Sequence, residues 1–138
     1  MKTEFISYKQ ALALKELGFD KPCFGRYIYD GRGKEWFLVQ TQQTKNASVI
    51  FEGDISVDGI SIASPLYQQA FKWFRDKYNL HGCVDLHVSN PTHWYIRIDN
   101  IVENDYLYHS EDENLKFNTY EEAEQECLDK LIEIVKNK

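Results

Sequence analysis

The sequence predicts an α+β domain: an antiparallel sheet of about 4–6 strands with three helices, near residues 8–17, 65–78 and 120–136, packed against it. Three observations predict this. Three segments of helical apolar spacing each open on a start signal. The stretches between them alternate apolar and polar residues and are joined by short, turn-rich loops, which favours antiparallel pairing. Finally, the chain has 138 residues with 43% hydrophobic content, including 3 Trp, 9 Tyr and 8 Phe. That is enough to build one core without disulfides or metal, so residues 1–138 are expected to form a single domain. The composition excludes disorder, collagen and coiled coil.

The first helix is expected from Ser7 with Gln10, a capping box, and is stopped by Gly18; Tyr8, Ala11, Leu14 and Leu17 form its apolar face. Two strand-like runs follow, Cys23–Tyr29 and Glu35–Thr41, around Asp30-Gly31-Arg32-Gly33-Lys34, which reads as a hairpin loop. Shorter runs at Val49–Phe51 and Ile55–Ile62 are punctuated by Gly53 and Asp58-Gly59. Ser64-Pro65 reads as a cap followed by proline at the first helical position. The helix behind it bears Leu66, Tyr67, Ala70, Phe71, Trp73, Phe74 and Tyr78, a broad stripe that makes it the central helix.

A second hairpin is formed by Cys83–Val88 and Trp94–Ile98. Pairing Val88 with Trp94 aligns the two apolar faces, setting Asp85 opposite Arg97 and His87 opposite Tyr95. Tyr106–His109 adds a last strand before the acidic loop Ser110–Asn114. Thr119 with Glu122 then caps a helix whose Ala123, Cys127, Leu128, Leu131, Ile132 and Val135 share one side.

Charge narrows the function. The net charge is −6, but residues 1–98 hold 12 Lys/Arg against 10 Asp/Glu, whereas residues 99–138 hold 4 against 12. An acidic final third disfavours nucleic-acid binding, which needs a cationic surface. It suits a basic protein partner drawn in by electrostatic steering, with Glu121, Glu122, Glu124 and Glu126 as the partner-binding candidates. Cys23, Cys83 and Cys127 form no CxxC and read as reduced thiols. The opening MKTEFISYKQALALKELG has no apolar run of signal-peptide length, and no segment reaches the ~20 apolar residues of a membrane span. A cytoplasmic address without membrane contact is expected, and the triplet Asn46-Ala47-Ser48 is then a chance glycosylation match.

Candidate chemistry is sparse. His81, Cys83, Asp85 and His87 point to one side of a strand and are all metal-ligand types. Neighbours at i and i+2 stand about 6–7 Å apart, wide for sharing one ion, so no metal is expected. Cys83 with His87 or His93 would be a thiol and its base, but nothing beside Cys83 marks it as activated. Gly31-Arg32-Gly33-Lys34 lacks the frame of a phosphate loop, and Asp54, Asp58 and Glu111-Asp112-Glu113 lack calcium-loop spacing. No cofactor is implied. The aromatics point to binding: strands must alternate, so Tyr27, Tyr29 and Tyr95 fall on the face away from the core. Beside Arg26, Arg32, Arg97 and His87, that face would clamp a small planar or anionic ligand, or anchor a protein.

The blocks FISYKQALALKELGFDKPCFG, SPLYQQAFKWFRDKYNL and TYEEAEQECLDKLIEIVK, about 40% of the chain, resemble in wording and order the uncharacterised small proteins of Bacteroidetes and their phages. The resemblance implies a phage or mobile-element origin and carries over no functional residue. The leading expectation is a small, non-enzymatic accessory protein that binds another protein. A small-ligand binder using the aromatic–arginine face is the alternative, and a minor enzyme using Cys83 and His87 comes third.

Overall fold

The computed structural model describes residues 4–30, 35–44, 61–87 and 93–138, and side chains within them except at 28–30, 35–44 and 61. The chain divides into two compact units, Met1–Leu66 and Tyr67–Lys138. The fold is α+β, but its six described strands form two antiparallel sheets of three rather than one sheet of four to six.

In the first unit, helix α1 (Tyr8–Glu16) opens on the expected capping box. The Ser7 hydroxyl accepts from Gln10 N at 3.3 Å, and Ser7 N donates to the Gln10 side chain at 3.0 Å. Gly18 follows the helix at φ 93°, a conformation that favours glycine. Strand β1 (Cys23–Asp30) lies between β2 (Glu35–Thr44) and β3 (Ser61–Ser64). The expected hairpin is present as the pairing of Asp30 with Glu35; its loop, residues 31–34, lies outside the described residues, as does the expected strand 49–51.

Ser64-Pro65 does not start the second helix. Ser64 ends β3 and donates its hydroxyl to Ile6 O at 3.1 Å, Ile6 N donates to Pro65 O at 3.1 Å, and Leu66 bridges Phe5. The N-terminal segment thus holds 64–66 extended, and the cap-like hydroxyl is spent on a tertiary bond. Helix α2 begins instead at Tyr67 and runs to Tyr78, where Asn79 leaves it at φ 59°.

The second unit builds its sheet from β4 (Leu80–Leu86), β5 (Trp94–Asn100) and β6 (Asp105–His109), in that order. Helix α3 (Tyr120–Lys136) has its expected bounds, and its Thr119 cap accepts from Glu122 N at 3.1 Å. Buried Cys127, Leu128 and Leu131 of α3 and Phe74 of α2 join Ile96 and Ile98 in the core. Gly82 belongs to the strand itself. It sits within β4 where α3 approaches, and a Cβ there would lie 2.9 Å from Cys127 Sγ and 3.0 Å from Leu131 Cδ1.

The β4–β5 register differs from expectation by two residues. Leu86 pairs with Trp94, Asp85 with Tyr95 and Cys83 with Arg97. A two-residue shift keeps every side chain on its face, so hydrophobic alternation cannot distinguish the two registers; the connection decides, and its residues 88–92 lie outside the described ones.

Candidate functional site

The alternation of β4 and β5 sends Val84, Ile96 and Ile98 toward the helices and leaves His81, Cys83, Asp85, Tyr95, Arg97 and Asp99 on the opposite, solvent-facing side. His87 continues this side just past β4, where its N–H donates to His93 O at 2.9 Å. From β6, His109 pairs with Arg97 and Tyr106 with Asp99. These two side chains are three residues apart and would fall on opposite faces of a regular strand. An irregularity in the β5–β6 register at Leu107 restores them to one face.

The open face carries a row of rings. Tyr95 stacks on His109 at 4.8 Å between centroids and 23° between planes, and His87 meets Tyr95 edge-on at 6.3 Å. His87 Nε2 lies 2.8 Å from Glu111 Oε1, and His109 Nδ1 accepts from Glu111 N at 3.2 Å. The latter bond caps the 3-10 turn Ser110–Glu113 and requires that nitrogen to be unprotonated. Below the row, Ser110 Oγ accepts from Ile96 N at 3.0 Å, and Phe117 pairs with Trp94 in both directions at 2.8 and 3.0 Å. The segment after β6 therefore folds back along β5 and walls one end of a hollow of about 240 Å³ between His87, Tyr95, Glu111 and Leu115.

Arg97 is held by Asp99, whose carboxylate oxygens both lie 3.0 Å from Nε, so its partner is on its own strand and not Asp85. Asp85 instead accepts from the Cys83 thiol at 3.8 Å. Burial, then the charges of Asp85 and Asp99, push that thiol up from its ordinary value; burial, Asp85 and Glu111 do the same to the Tyr95 phenol. A thiol shifted this way is a poor nucleophile at neutral pH. His87 lies four strand residues away, about 13 Å, and faces Glu111, so it cannot serve as its base. Among the described residues, no three His, Cys, Asp or Glu side chains are grouped to hold a metal ion.

Of the other ligand-binding candidates, Arg26 is buried at 2% exposure, so it contributes to no open face. Tyr27 is half-buried and donates its hydroxyl to Ile6 O at 2.8 Å, a structural bond. The Tyr29 side chain and all of Arg32 lie outside the described residues. The structure thus brings together His87, Tyr95 and Arg97, and adds Tyr106, His109 and Glu111, which sequence alternation missed. On α3, Glu121, Glu122 and Glu126 are exposed, whereas Glu124 is buried. Glu121 and Glu122 occupy the first turn, where carboxylates favour the helix dipole. Burial first, then Asp129, raises the Glu126 carboxyl, with Lys130 opposing.

Thiol chemistry offers a direct check. Cys23 and Cys127 are fully buried and Cys83 is partly exposed. Burial also raises the Cys127 thiol and lifts that of Cys23 to about 11. The native protein is expected to expose a single thiol to an aromatic disulfide reagent, reacting more slowly than a free cysteine at pH 7. Cys83→Ala should abolish that reaction, and release of two or three equivalents before unfolding would contradict the burial of Cys23 and Cys127.

Compared with known protein families, with curated proteins and with solved structures, the chain matches none. No helix among the described residues is long and apolar enough to cross a membrane.

Proposed function

We propose that this chain is a non-enzymatic accessory protein of phage or mobile-element type, acting in the cytoplasm by binding another protein, and that the open face of the second sheet is its recognition surface. The observation that carries the reading is the ring row His87–Tyr95–His109 set beside Arg97 on a face that stays partly exposed. Aromatic and arginine side chains supply large contact area with few rotors, which is why they dominate binding hot spots. The raised Cys83 thiol and its separation from His87 weigh against the enzyme reading. The acidic α3 adds long-range attraction for a basic partner through Glu121, Glu122 and Glu126.

The test is affinity capture from host cells with wild-type protein and with the Tyr95→Ala/Arg97→Ala variant, after circular dichroism has matched their folds. A partner retained by wild type and lost by the variant is the expected result. Equal capture by both would remove the open face from the interaction. A small molecule co-purifying with wild type in native mass spectrometry, with no protein partner, would install the small-ligand alternative, for which the hollow beside Tyr95 is the natural seat.

A further inference from the structure

The hollow beside Tyr95 is the first of three that share walls. A second, of about 340 Å³, has Glu111 in common with it; a third, of about 610 Å³, has Arg97 and Tyr106 in common with the second. Adjoining one another through these residues, they set out a grooved path across the open face, from Leu115 beyond the 3-10 turn to Ile101 in the β5–β6 turn. Along β5 the groove follows the strand from Tyr95 to Ile101, a path of about 20 Å at the rise of an extended chain. A groove of that length and shallowness is poorly matched to a compact metabolite, which favours a deep pocket that encloses most of its surface.

The walls also have a sign. Arg97 and Asp99 pair with each other at 3.0 Å and cancel, which leaves Asp105, Glu111 and Asp112 along the groove against the cation Lys116. This excess of carboxylate repels a polyanion and attracts ammonium or guanidinium groups. Tyr106, 55% exposed in the middle of the groove, offers a ring face of the kind that holds such cations. At the two ends, Ile101 and Leu115 are exposed apolar contacts. Pairing along the outer edge of β6 is disfavoured by the irregularity at Leu107, and the hollows lie on the face of the sheet beside it.

We propose that this groove receives an extended segment of the partner protein bearing lysine or arginine side chains. The inference rests on the protein-binding reading above and names the chemistry of the partner at that same face.

The probes are two labelled octapeptides, one alternating lysine with threonine and one alternating glutamate with threonine, titrated by fluorescence anisotropy at physiological salt. The lysine peptide is expected to bind at least about tenfold more tightly. Asp105→Asn/Asp112→Asn should weaken it by about tenfold, the effect of losing two exposed ionic partners, and Tyr106→Ala should weaken it while leaving the charge unchanged. Amide shifts should concentrate at Tyr95, Arg97, Tyr106 and Glu111. Equal binding of the two peptides, or shifts confined to α3, would overturn the proposal. So would binding of a neutral oligosaccharide or of oligo(dT) at this groove in place of the lysine peptide. If Tyr95→Ala/Arg97→Ala abolishes capture of the partner while the lysine peptide fails to bind, the face is the interface and only the basic occupant is wrong. If capture is unaffected, the protein-binding assignment of the face itself fails.

Discussion

Gly25→Ala is expected to destabilise the protein by about 2–3 kcal/mol, the upper range for forcing atoms into a packed interior. A Cβ at this position would lie 2.6 Å from Cδ1 and Cε1 of Phe5 and 2.7 Å from the Ser64 carbonyl oxygen. Relief is obstructed on both sides. Ser64 is the ladder partner of Gly25 and donates its hydroxyl to Ile6 O, and Tyr27 donates to the same carbonyl at 2.8 Å. Phe5 is buried next to Ile6 and bridges Leu66. Moving either wall therefore disturbs the anchoring of the whole N-terminal segment. Gly82→Ala is expected to cost less, about 1 kcal/mol, because its close neighbours are the tips of Cys127 and Leu131 side chains and not backbone. Urea unfolding of both variants checks the order; a Gly25→Ala midpoint equal to that of wild type would contradict the close approach of β1, β3 and Phe5.

Phe74→Ala is expected to cost about 3–5 kcal/mol, the loss of a large core side chain together with the cavity it leaves. Phe74 is fully buried on α2, meets Trp73 edge-on at 5.2 Å and lies 5.8 Å from Tyr78, so its ring packs against two other aromatic rings. The variant should expose hydrophobic surface to a fluorescent probe at temperatures where wild type does not, and a shift in midpoint worth less than about 1 kcal/mol would remove Phe74 from the core. Paired with Gly25→Ala it also examines the expectation of one domain over residues 1–138. A single transition moved by both substitutions is the behaviour of one cooperative domain. Two transitions, each moved only by the substitution within its own unit, would assign the units Met1–Leu66 and Tyr67–Lys138 separate stability.

The contrast between α1 and α2 explains how far the sequence could be read. Each is preceded in the sequence by a serine that reads as its cap. At Ser7 the capping partner is three residues away, so the local pattern suffices and the capping box forms. At Ser64 the hydroxyl has a competing acceptor in Ile6, 58 residues distant, and the helix begins later. The candidate site divides in the same way. Alternation places Tyr95, Arg97 and His87 on one face because a strand repeats every two residues. The Leu107 irregularity hides Tyr106 and His109 from that count, and Arg26, polar in sequence, is buried in the fold.

What the sequence by itself determined is whatever is encoded within a few residues: three helices with their apolar stripes, the two hairpins, the face each β4 and β5 side chain occupies, and the acidic character of the final third. Only the tertiary structure decided the division of the six described strands between two sheets, the two-residue register of β4 on β5, and the meeting of His87, Tyr95, His109 and Glu111. The reason is physical. Caps and periodicity are satisfied by neighbours along the chain, whereas register and strand partners are chosen by hydrogen bonds and packing between distant segments. Several such arrangements bury the same apolar pattern equally well until the whole chain is in place.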